Sequence, residues 1–378
     1  MGINRERLKK QFAELISIDS VSFRERAMAD YLRAALGELG IEAFEDDAAG
    51  RIGGNAGNLY AYFYREDFDP AEEMTPQTAP VLFCAHMDTV SPGTGKRAVF
   101  HEDGRITSDG TTVLGTDDAA AIAEILEALR GIVEEGLPHR NIELLFTAAE
   151  EAYTAGSSAF DVSHLRARTA YTFDVSGPAG TVSGTEPTLV EFRVRITGRA
   201  SHAGFEPEKG VSAIVAASRA IACLPSGRID PYTTFNIGQI EGGTGLNIVP
   251  EEVCIGGEIR SLSDETVRLL CREMQAAFES EAATAGAACE VTLIPHLTAY
   301  RVEEDDPALR RYRETAARAG ITARTVRNFG GSDTNTLRRN GIAGITAANG
   351  MHRAHSCEEY TTVDELVKAA AVIRNLME

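Results

Sequence analysis

No stretch of the 378 residues approaches the roughly 18 consecutive apolar positions of a membrane-crossing helix, so no membrane is expected as a partner. The opening MGINRERLKKQFAEL lacks the apolar core of a secretory leader. Basic residues are scarce. Thirty-seven Lys and Arg stand against 56 Asp and Glu, a formal net charge of −19, which disfavours nucleic acid and anionic lipid. The six cysteines, at 84, 223, 254, 271, 289 and 357, contain no CxxC pair. Neither a disulfide framework nor a zinc ribbon is indicated, and a reduced, cytoplasmic setting fits best. Internal repeats and low-complexity tracts are absent. The glycine-rich stretches GNAGN, SPGTG, EGGTG and NFGGSD do not follow strands with phosphate-cradling spacing. HExxH and GxSxG are missing too, which excludes a one-zinc helix protease and a serine elbow.

What is present is an apolar share of 43%, enough to fill two domains. A helix with Leu8, Phe12 and Leu15 on one face opens the chain. Ser22 and Glu25 have capping-box spacing ahead of a second helix carrying Met28 and Leu32. NLYAYF reads as a strand, and the charged, proline-bearing stretch 65–80 as a surface loop. VLFCA, IELLFTA and AYTFD are short buried strands, and TDDAAAIAEILEALRGI is a strong helix between the first two. This alternation predicts an α/β layered domain. Near residue 187 the pattern becomes β-α-β-β-α-β, with the long second helix beginning at Ser263. α/β character returns after 300. The expected organisation is a catalytic domain, 1–186 and 301–378, interrupted by a small ferredoxin-like domain, 187–300.

Chemistry-bearing residues lie at the ends of the buried strands. His86 closes VLFCAH, Glu150 and Glu151 close IELLFTAAEE, and Asp174 closes TAYTFD. Asp117 and Asp118 begin a helix, and His355 sits in a polar loop, GMHRAHS. His86 and Asp88 would share a face if the strand continues, so Asp88 could hold the imidazole from its other side. Either aspartate of the 117–118 pair could turn inward and bridge two metals. Adjacent acids at the mouth of an apolar strand suit two jobs, one as ligand and one as general base. Five ligands with one bridging carboxylate give each of two metals three protein contacts and leave room for a shared water. By spacing, His352 competes with His355. Cys84 is expected to pack in its strand, and His202 has the local look of an ordinary loop histidine.

The segments HMDTVSPG, DGTTVLGTDDA, FTAAEE, FDVSGPAG, GRASHAG with PEKGVSAI, NIVPEE, GGSDTN and AHSCEEY occur in the order of the M20 metallopeptidases. Across nearly its full length the chain resembles their peptidase T-like, tripeptide aminopeptidase branch. The resemblance implies a zinc-exopeptidase-like catalytic domain with an inserted lid and dimerisation domain, and two Zn2+ per subunit, with Co2+ or Mn2+ as alternatives. It makes His86 and Asp174 ligands of one ion, Glu151 and His355 of the other, and Asp117 the bridge. Asp88 becomes the residue orienting His86, and Glu150 the general base. His202 is implied to stabilise an oxyanion in a partner subunit's site, and Asn247 and Arg260 to contact substrate, Arg260 as a carboxylate clamp. One departure stands out: Ala119, Ala120 and Ala121 follow the aspartate pair where the family continues with lysine and then small residues including glycine, so peptide preference is expected to differ.

The expected activity is hydrolysis of short peptides, as an aminopeptidase, in a homodimer formed through the inserted domain. An N-acyl-amino-acid amidohydrolase or carboxypeptidase could use the same centre. A binding protein without chemistry would be expected to have lost ligands, and none is lost.

Overall fold

The computed structural model describes residues 2–69, 74–75 and 78–378, so the loop expected over 65–80 lies partly outside the described residues. The chain divides into two compact units. Met1–Gly184 with Arg301–Glu378 form one, and Thr185–Tyr300 the other. The division falls two residues before the expected start of the insert at 187, and after 300.

Among the described residues, the first unit is built on a nine-stranded sheet. Its centre is parallel: Ile142–Thr147, Val81–His86, Thr169–Val175 and Ala343–Ala348 lie side by side in that order. Every residue of the first two is buried, as expected for strands covered on both faces. Along Val81–His86 the side chains alternate between two layers. Leu82 and Cys84 join Leu145, Ala170 and Leu337 in one cluster. Phe83 meets Tyr171 and Phe173. The alanine-rich helix Thr116–Glu135 is buried over most of its length and packs on Val81–His86 and on the helices Arg5–Ile16 and Val363–Met377. All central strands run the same way, so their C-terminal ends, where His86 and the acids stand, form one edge.

The helix Arg26–Glu38 forms, but not by the expected capping box. Glu25 is itself the cap residue and makes no side-chain cap bond. Its Oε1 instead accepts the N–H groups of Phe23 and Ala149, and Ser22 donates its hydroxyl to Asp88. Partners distant in the chain outcompeted the local pairing.

The second unit is a five-stranded antiparallel sheet in the order Gly227–Asp230, Thr233–Gly242, Glu252–Ser261, Thr188–Thr197, Ala288–Leu297. It has one strand more than the expected β-α-β-β-α-β. The added edge strand GRID is short and mostly exposed, without an apolar signature. Helices Ala213–Ala222 and Asp264–Ala285 share a core with the sheet, centred on Phe192, Phe235, Met274 and Phe278. Ser263 caps the longer helix, accepting the Thr266 N–H.

Gly257 sits opposite Phe192 in the register. A Cβ there would fall 2.2 Å from the Asn236 carbonyl oxygen and 2.3 Å from Phe192 Cζ, so the missing side chain is the space that the ring occupies. Gly257→Ala is expected to destabilise the protein by about 1–3 kcal/mol, the usual range for overpacking. Denaturant titration followed by circular dichroism checks this, and an unmoved midpoint would show that the ring has room to shift.

Candidate metal centre

Five elements deliver the site. His86 ends the strand Val81–His86, and Asp174 lies near the end of Thr169–Val175. Glu150 and Glu151 follow Ile142–Thr147 through a turn in which Ala149 has φ of 48°. Asp117 comes from the start of the helix Thr116–Glu135, where Asp117 and Asp118 leave helical geometry and are joined by a cis peptide bond. His355, with φ of 63°, comes from the loop after Ala343–Ala348.

Asp117 presents one oxygen to each imidazole. Its Oδ1 is 2.9 Å from His86 Nε2 and its Oδ2 3.2 Å from His355 Nε2. His355 Nε2 also lies 2.8 Å from Glu151 Oε1. Donor atoms of His86, Asp117 and Glu151 all fall within 4.8 Å of one another, and so do those of His86, Glu150 and Asp174. Glu150 is thus close enough to be a ligand as well as a base.

Glu150 and Asp117 are buried, at 8% and 5% exposure, and Glu151 and Asp174 are partly buried. Burial pushes the Glu150 and Asp174 carboxyls well above the usual range, and neighbouring acids add to the shift. At Asp117 burial acts the same way, but the hydrogen bonds from His355 and His86 outweigh it and hold the carboxyl below its ordinary value. Those bonds to Asp117 and Glu151 raise the His355 imidazole to about 10. Such mutual repulsion in a buried space calls for cations. The donors are imidazole nitrogens and carboxylate oxygens, which suit zinc, cobalt or manganese. The carboxylates of Asp117, Glu150, Glu151 and Asp174 match the charge of two divalent ions. The residues fit the expected pair of metals.

Behind this cluster lies a second set of side chains that spend their oxygens on backbone N–H groups. Asp88 accepts from Glu150 and Glu151, at 2.9 and 3.2 Å, and so holds the two adjacent acids. His86 Nδ1 is nearer the Asp88 carbonyl oxygen, 3.0 Å, than its carboxylate, 3.3 Å, so both groups of Asp88 face the ring. Asp118 turns away from the imidazole pair. It accepts the His86 N–H and the Asn349 amide. Glu359 receives the N–H groups of Gly115 and Asp117, at 2.6 and 3.0 Å. Burial, with Asp117 nearby, raises the Glu359 carboxyl to about 7. Sequence reasoning missed the roles of Ser22, Glu25, Asn349 and Glu359, since their partners lie tens to hundreds of residues away. The AHSCEEY run was the one hint for Glu359.

Ala119, Ala120 and Ala121 are buried, so that helix face carries no cation. A buried ammonium does lie under the preceding loop. Lys96 Nζ donates to the Ile18 and Gly93 carbonyls, and its stem packs where a Gly115 Cβ would be, 2.9 Å from Lys96 Cε. Burial lowers Lys96 to about 8. His352 stacks on Tyr360, whereas His355 is the one that reaches Asp117 and Glu151.

His202, Asn247 and Arg260 belong to the second unit. His202 is exposed, and its Nδ1 accepts the N–H groups of Gly204 and Phe205, so the neutral ring carries its proton on Nε2. Asn247 neighbours it, its carbonyl accepting the Ala203 N–H. The Arg260 fork already grips Glu258, at 2.7 and 3.0 Å, so an incoming carboxylate would have to compete with that pair.

A profile described as Peptidase dimerisation domain matches residues 185–285, and one for Peptidase family M28 matches 70–202. The chain is 38% identical over 376 residues to an uncharacterized protein, YqjE, of Bacillus subtilis, covering 100% of this chain and 99% of that one. The crystal structure of the aminopeptidase PepT from Bacillus cereus superposes with a TM-score of 0.88 at 36% identity, covering 99% and 98% of the two chains. That of a tripeptidase from Staphylococcus aureus superposes at 0.91 with 31% identity, covering 100% and 98%.

Metal removal tests the centre. Chelated protein is expected to melt at lower temperature than protein with added Zn2+, Co2+ or Mn2+. Free metal at 100 times its Kd would add about 2.7 kcal/mol of stability. Differential scanning calorimetry with and without chelator reads it, and identical melting curves would count against a buried cation site.

Proposed function

Because the chain belongs to the M20 metallopeptidases, in their peptidase T-like branch, and is a metal-dependent peptidase, we propose that it is an aminopeptidase of short peptides, tripeptides above all. The observation that carries the reading is the placement of Asp117 between His86 and His355, one oxygen to each ring, with Glu150, Glu151 and Asp174 around them. His86 and Asp174 are assigned to one zinc ion, Glu151 and His355 to the other, and Asp117 to both. Bound there, two divalent ions supply Lewis-acid polarisation of the scissile carbonyl and a nucleophilic water at neutral pH.

This chain's own residues do the rest. Glu150 takes the proton of the attacking water on its carboxylate and passes it to the leaving amine. Its burial suits that role, because a raised carboxyl pKa brings the acid nearer the pH at which it must both accept and donate. Asp88 fixes the Glu150 and Glu151 backbone, so that the two acids hold separate positions. His202 is assigned to the oxyanion, through its Nε2–H, from a partner subunit of a homodimer built on the second unit. Asn247 is assigned to substrate beside it.

Two measurements test this. Glu150→Gln is expected to lower kcat by about 10²–10⁴-fold with two metal ions retained by elemental analysis, whereas metal lost in step with activity would make Glu150 a ligand. A tripeptide with a free amine is expected to be cleaved and its N-acetylated form spared. Preference for the acetylated form would point to an N-acyl-amino-acid amidohydrolase.

A further inference from the structure

The run GGSDTN is not used by the chemistry above, yet its side chains are almost wholly buried. It opens the helix Asp333–Arg339, which packs on Thr169–Val175 and Ala343–Ala348. Asp333 is 1% exposed. Its Oδ2 accepts the Thr147 hydroxyl at 2.5 Å, and the Cys84 thiol lies 3.8 Å from the same oxygen. Thr147 is the last residue of the strand that leads into Glu150, and Cys84 stands two residues before His86. The flanking hydroxyls form a directed chain. Thr346 donates to Thr334 at 2.9 Å, and Thr334 donates to Thr172 at 2.8 Å. With the Thr346 proton so committed, Ser332 is the donor across its 2.8 Å contact to Thr346. Thr172 in turn stands two residues before Asp174.

One turn of chain therefore ties the four central parallel strands together by polar side chains, just behind the residues of the metal centre. Hydrophobic packing would hold these strands together as well, but it is non-directional. Buried hydrogen bonds are directional and set distances. In a site where a displacement of about 1 Å can cost 100-fold in rate, the difference matters.

We propose that Asp333 is a positioning residue: through Thr147 and Cys84 it sets the spacing between the strand ends that carry Glu150 and His86. The inference rests on the proposed role of Glu150 as proton carrier. Asp333 itself does not reach substrate. Its effect belongs in kcat, because the residues that bind substrate are others.

The test uses the full-length, metal-loaded protein and the variants Thr147→Val, Thr147→Ser and Asp333→Asn, assayed with a free-amine tripeptide. Valine keeps the shape of threonine and removes the hydroxyl. Serine keeps the hydroxyl. Thr147→Val and Asp333→Asn are expected to lower kcat at least tenfold, with KM within twofold and two metal ions retained. Thr147→Ser is expected to stay within twofold of the unaltered protein. A double variant, Thr147→Val with Asp333→Asn, is expected to lose no more than the worse single one. Any of three results would overturn the proposal: unchanged kcat in both singles, metal loss parallel to the loss of rate, or Thr147→Ser as impaired as Thr147→Val. If the unaltered protein cleaves no peptide, it is the functional reading that fails, and the hydrogen bonds are then judged by metal affinity, measured by chelator competition. In that case Thr147→Val and Asp333→Asn weaken it tenfold or more if the spacing of the strand ends depends on them, and leave it unchanged if it does not.

Discussion

Like charges in a small buried space repel, and the catalytic unit concentrates them. Asp117, Glu150, Glu151 and Asp174 share a volume with the imidazoles of His86 and His355, and Asp88, Asp118, Asp333 and Glu359 stand behind them. In water such acids would spread apart. Here the parallel strands hold them, so the free energy of folding includes an unfavourable term that cations relieve. The rest of the site can be understood as the means of keeping these groups together.

Backbone amides are the main means. Asp88, Asp118, Glu359 and Glu25 all turn their oxygens on N–H groups of the loops that carry site residues. These bonds fix the shape of each loop without a counter-ion, although Glu25 uses only one of its two oxygens. Adjacent acids thus divide their tasks: Asp118 braces while Asp117 faces the imidazoles. The Asp117 loop is pressed between Glu359 and the buried Lys96 stem, and Gly115, with φ of 80°, leaves space for that stem.

Legibility in the sequence followed range. His86, the Glu150–Glu151 pair and Asp174 stood out as candidates because a polar residue at the mouth of a wholly apolar strand is visible in a window of ten residues. Asp117 could not be told from Asp118, since neighbouring side chains differ only in the direction the loop turns them. Ser22 and Glu25 satisfied a local rule and were diverted, one to Asp88 and the other to Ala149. The strand Gly227–Asp230 went unseen because an exposed edge needs no apolar pattern.

By itself the sequence determined the alternation of buried strands and helices, the insertion of a second unit near residue 187, and the acids and imidazoles available for metal. These follow from periodicity and residue type, which act over a few residues. Only the tertiary structure decided that Asp117 stands between His86 and His355, that Asp88 grips the backbone of both glutamates, and that the 332–334 turn braces four strands. The physical reason is distance along the chain. Thr147 and Asp333 are 186 residues apart, and Glu359 and Asp117 are 242 apart, so no local preference encodes their meeting. It arises when the strands pair in their parallel order and bring their C-terminal ends to one edge.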